Sequence, residues 1–91
     1  MRIEFDSAKN KANLAKHGIS LQAAADFEWE TSFEREDNRL DYGETRFVAI
    51  GLIGARVHVM VFTEGADDDG VRVISLRTAE KHEVRLYYDQ V

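Results

Sequence analysis

The sequence predicts an α+β domain with helices packed against one face of a mainly antiparallel sheet. Three features point there: two helix-like segments near the start, a late run of β-rich segments separated by turn residues, and a final helical pattern. With 91 residues the chain is read as one domain, residues 1–91. A domain of this size buries only about 60–65% of the surface its unfolded form exposes, so nearly all apolar residues must share one core.

Each element has its own signal. Arg2-Ile3-Glu4-Phe5 alternates polar and apolar residues, as a short strand does. Asp6 is placed to accept from first-turn amides, and Ser7–His17 holds good helix formers up to Gly18, which can adopt the left-handed conformation that ends a helix. Ser20 offers a second cap, for a short helix over Leu21–Phe27. Ser32–Glu36 reads as a short edge strand in an acidic stretch. Glu44–Leu52 and Arg56–Thr63 form a predicted hairpin around Ile53-Gly54-Ala55, and Val71–Leu76 a further strand after the acidic loop Glu64–Gly70. Thr78 is expected to cap the last helix, with Glu80 in its first turn and Val84, Tyr87, Tyr88 and Val91 on its apolar face.

Composition excludes several function classes. Without cysteine there is no disulfide scaffold, thiolate metal site or thiol nucleophile. No apolar run reaches the roughly 18–20 residues that span a bilayer, and no leader opens the chain, so a cytoplasmic protein is expected. The net charge of −5 conceals an asymmetry, with residues 26–44 at −6 and residues 1–25 at +2. A polyanion would have to use the basic portions, and a basic partner could use the acidic ones. His17, His58 and His82 lie far apart and form no His-x-x-x-His pair, and no phosphate-binding glycine loop occurs.

The candidate site residues are mostly cationic. Lys9, Asn13 and Lys16 recur at i, i+4 and i+7, so they share a helix face that could hold phosphates or simply be solvated. His17 ends that helix, where it could cap the carbonyls or transfer a proton. Glu44 and Arg46 alternate to one side of a strand with Val48 and Ile50, as an ion pair or as site residues. Arg77 follows Val73 and Ser75 on one face at a strand end, where a guanidinium can fork onto phosphate or pair with Glu83 or an acid of the 26–44 segment; Arg72 can likewise contact phosphate or form a structural pair. Tyr87 suits core packing first and base stacking second, and His58 suits a sheet-face position.

The run Phe5-Asp6-Ser7-Ala8-Lys9-Asn10-Lys11-Ala12-Asn13-Leu14-Ala15-Lys16-His17-Gly18 resembles the opening of the BrnT toxins of bacterial type II toxin–antitoxin pairs. Asp41-Tyr42-Gly43-Glu44-Thr45-Arg46-Phe47, Ile50-Gly51 and Arg72-Val73-Ile74-Ser75-Leu76-Arg77-Thr78-Ala79 continue the likeness, with Glu83 and Tyr87 near the end. Ser7 replaces a frequent proline, Leu40 a common histidine and Leu76 a usual alanine. The resemblance implies a RelE-like fold and a metal-independent endoribonuclease that needs no cofactor, inhibits translation and is held inactive by a BrnA-like antitoxin. Operator DNA would be bound only through that antitoxin, and no membrane is involved. In that reading Arg77, Arg46, Glu44 and His17 serve catalysis, while Lys9, Asn13, Lys16, Arg72 and Tyr87 bind RNA. The alternative is a non-catalytic module that clasps a basic partner through its acidic 26–44 segment.

Overall fold

In the computed structural model, which describes residues 2–38, 41, 43–67 and 69–90, the chain begins with strand β1, Arg2–Glu4, and helix α1, Ser7–His17. Leu40, Tyr42 and Val91, each singled out above, lie outside the described residues. The Asp6 carboxylate accepts from the Lys9 N–H at 3.3 Å and starts α1. Gly18 ends it at φ 71°, its N–H donating to the Leu14 carbonyl at 2.9 Å.

Leu21–Asp26 then forms a 3-10 helix, so there is one N-terminal α-helix, where the sequence suggested two. The reason lies in the spacing. Leu21, Ala24 and Phe27 stand three residues apart and are all buried, and in a 3-10 helix such residues line up along one edge toward the sheet. Phe27 then bridges to Ile53, and the Glu28 N–H donates to the Leu52 carbonyl at 2.9 Å, which halts the helix. Gly51 makes this possible: a Cβ there would sit 2.6 Å from the Phe27 ring.

Four longer strands follow: β2 Phe33–Asp37, β3 Arg46–Ile53, β4 Arg56–Glu64 and β5 Gly70–Thr78. Their order across the sheet is β1-β5-β4-β3-β2, antiparallel except for the parallel β1–β5 pair. Helix α2, Lys81–Gln90, is the last element among the described residues. The expected cap at Thr78 is corrected, because Thr78 is still in β5, paired with His58. Instead the Glu80 N–H donates to Glu83 Oε1 at 2.8 Å and the Glu80 carbonyl accepts from Val84 at 2.9 Å, one half of a capping box.

The helices do not share one sheet face. The 3-10 helix covers Ala49, Met60, Phe62, Val73 and Leu76, whereas α2 seats Tyr87 against Ile50, Val57 and Val59 on the other side. A β-bulge also alters the pattern read from β5. Val61 pairs with Ser75 and Phe62 with Val73, so Ile74 is the extra residue. Val73 therefore joins the same core as Leu76, and Arg77 shares its face with Ser75 but not with Val73.

Two asparagines of α1 lock this arrangement. Asn13, 5% exposed, accepts from the Leu76 N–H at 3.0 Å and donates to the carbonyls of Leu76 at 2.8 Å and Ile19 at 2.9 Å. It thus bonds the rim of β5 beyond the point where β1 stops pairing. Asn10 Oδ1 accepts from the Leu21 N–H at 2.7 Å and joins α1 to the 3-10 helix.

Candidate active site

Because α2 covers only part of its face of the sheet, a groove of about 920 Å³ is left beside it. Its floor is the row Val48–Val61–Ser75, aligned across β3, β4 and β5, with Val59 alongside. Helix α1 supplies one wall through Lys9, Lys16 and His17. Strand β2 supplies the other, where Arg35 pairs in register with Val48. Arg77 and Glu83 close the end nearest α2. The helical spacing of Lys9 and Lys16 thus delivers two ammonium groups to the groove, while the Asn13 amide between them is fully engaged in bonds to backbone.

The end at Arg77 is the most organised part. Arg77 Nη1 and Nη2 donate to Glu83 Oε1 and Oε2 at 2.7 and 2.8 Å, a fork-to-fork pair. That pairing, helped by the Glu80 N–H and opposed by burial, brings the Glu83 carboxyl down to about 2. His17 is shifted the other way in charge. Burial first, then the Lys16 and Arg77 cations, lowers its pKa below 6.5. The lowered pKa favours the uncharged imidazole, which can accept a proton, with two cations at hand to stabilise a phosphate.

Glu44, Arg46 and Arg72 form a separate group. The Glu44 carboxylate bridges Arg46 Nε at 3.1 Å and Arg72 Nη2 at 2.6 Å. Hydrogen bonding to Arg46, with a further contribution from Arg72, holds that carboxyl below its usual range. Arg46 and Arg77 do lie on one face of the sheet, but not at one point. Arg77 aligns with Val59 and Ile50, and Arg46 is four residues along β3 from Ile50. Strand geometry therefore separates the two backbones by roughly 13 Å lengthwise and about 10 Å across. Arg46 and Arg77, both read from the sequence as catalytic, thus stand at two positions on this face, Arg46 with Glu44 and Arg77 with Glu83.

Tyr87 is core, 2% exposed, with its hydroxyl donating to Thr31 at 3.1 Å. His58 is buried in the sheet, its Nδ1 2.9 Å from the Arg56 carbonyl. Arg35 and Ser75 were missed as groove residues, because their place depends on strand register and on the bulge. Among the described residues, Glu80, His82 and Glu83 are the donors close enough together to hold a cation, and the Glu83 carboxylate there is already bonded to Arg77 and the Glu80 N–H.

The class defined by this fold and groove is a small α+β protein with a mixed five-stranded sheet and a cleft lined by Lys9, Lys16, Arg35 and Arg77 together with Glu36, Asp37 and Glu83. Residues 5–83 match the family described as "Ribonuclease toxin, BrnT, of type II toxin-antitoxin system", and the chain belongs to that family. Among solved structures it is similar to the ribonuclease toxin BrnT of Brucella abortus, with 28% identity and a TM-score of 0.61 over 89% of this chain and 99% of that one. No curated protein matches. Membership in a toxin–antitoxin family implies an antitoxin partner, and no helix among the described residues is long and apolar enough to cross a membrane.

Proposed function

We propose that this chain is the toxin of a bacterial type II pair, a metal-independent endoribonuclease of the cytoplasm that cleaves RNA and so inhibits translation. Family membership supports the toxin role. The observation that carries the chemistry is the His17 imidazole set with Lys16 and Arg77 at the end of an open groove, where burial and those cations lower its pKa. His17 removes the proton of a ribose 2′-hydroxyl, whose oxygen attacks the adjacent phosphorus while the bond to the 5′ oxygen breaks. Arg77, kept in orientation by Glu83, donates to the non-bridging oxygens as charge builds there. Lys9 and Lys16 hold neighbouring phosphates and hydrogen-bond the departing 5′ oxygen, which takes a proton from solvent water and leaves as a hydroxyl while a 2′,3′-cyclic phosphate remains on the other fragment.

Glu83 and Glu44 are not the acid of this scheme, since arginines keep both ionised. Arg46 and Arg72, with Glu44 between them, contact the RNA farther along the same face. Asn13 and Tyr87 act by holding the fold, as their bonds and burial indicate. A BrnA-like antitoxin neutralises the toxin, and operator DNA is reached only through that complex. The test is cleavage of a defined RNA in EDTA by protein freed of antitoxin. Cleavage by the wild type and its loss in Arg77→Ala and His17→Ala, both still folded, is the expected result. Cleavage unchanged in both variants overturns the assignment.

A further inference from the structure

The sheet ends in two rims of different construction. At one, β1 pairs with β5, and Asn13 bonds to Leu76 where that pairing stops. At the other stands β2, which pairs with β3 along its whole length and with no strand on its outer side among the described residues. Such a rim is a template for another extended chain.

Its charges select which chain fits. Glu34 and Glu36 lie in register with Ala49 and Phe47 and both are exposed, Glu36 at the rim of the groove. Glu28 and Glu30, just before the strand, are exposed as well. A second copy laid antiparallel across Arg35 would set Glu34 opposite Glu36 twice, and like charges directly opposite oppose pairing. A strand with Lys or Arg at every second position would instead place cations opposite both glutamates.

We infer that the outer edge of β2 is the docking site for an extended segment of a partner protein that carries Lys or Arg at alternate positions. The inference deepens the toxin reading and rests on it for the partner's role, because a strand added to β2 stands beside Arg35 at the groove wall. A partner anchored there would have its flanking residues at the mouth of the proposed cleavage site.

The test titrates the full chain, followed by amide exchange and NMR shifts, with the peptide Thr-Lys-Val-Lys-Thr-Lys-Val up to about 1 mM, the range of a weak single-strand contact. An isomer with its three lysines consecutive is the control. The alternate amides of residues 33–36 that point away from β3 are expected to gain protection with the alternating peptide and not with the isomer. In Glu34→Lys/Glu36→Lys the dissociation constant is expected to rise about tenfold, as attraction at two positions becomes repulsion. The inference is overturned by any of four results: no binding at the highest concentration, equal effects of the two peptides, shifts centred on α1 and the groove, or protection of 33–36 that follows protein concentration without peptide. RNA cleavage is measured apart from the peptide. Docking without cleavage removes the ribonuclease reading alone, and cleavage without docking removes this inference alone.

Discussion

Replacing Glu83 by glutamine isolates the charge of the Arg77 pair, because Gln at the third helical position still accepts from the Glu80 N–H and preserves the helix start. A carboxyl moved from 4.5 to about 2 corresponds to about 3 kcal/mol of stability at neutral pH. The pair is partly solvated, with side-chain exposures of 33% for Arg77 and 13% for Glu83, so screening should leave about 1–2 kcal/mol. The folded-state pKa is depressed. Its contribution is therefore complete above about pH 5 and disappears as the pH falls toward 2. Urea denaturation of wild type and Glu83→Gln from pH 7 to pH 2 measures the difference directly. The two stabilities should differ by about 1–2 kcal/mol at pH 7 and converge near pH 2. Parallel curves across that range would refute the argument, because the carboxylate would then have the same pKa in folded and unfolded chains.

Other consequences concern the groove and its supports. His17→Ala should lower cleavage about 10²–10⁴-fold with little change in thermal stability. In the wild type the acid limb of the pH–rate profile should fall below 6.5, since the lowered pKa keeps the imidazole neutral to a lower pH. Asn13→Ala leaves the buried Leu76 N–H without its bond and should cost about 2–4 kcal/mol in urea denaturation. Gly51→Ala should lower the melting temperature through an overpacking cost of about 1–3 kcal/mol, and the additional change Phe27→Leu should recover part of it.

Local chemistry was legible along the chain. Asp6 and Gly18 bound α1 as their side-chain and backbone preferences dictate, and Lys9 and Lys16 fall on one face because a helix repeats every 3.6 residues. The alternation through β3 likewise put Arg46 with Val48 and Ile50. Such features depend on residues within a turn or two of one another. The Ala-rich stretch Leu21–Asp26 suits either an α or a 3-10 helix, and the 3-10 form is selected by Phe27 being held by β3 across the fold.

The bulge at Ile74, the row that joins Arg35 to Ser75, and the distance between Arg46 and Arg77 all arise from pairings between strands remote in sequence. The same is true of the lowered pKa of His17, which comes first from burial and then from cations, one of them sixty residues away on β5. Capping and helical periodicity could thus be read from neighbouring residues, and the family from motifs spread along the chain. Which cations share a groove, and which side chain there is left uncharged, was decided only when long-range register and burial fixed their distances and their exposure to water.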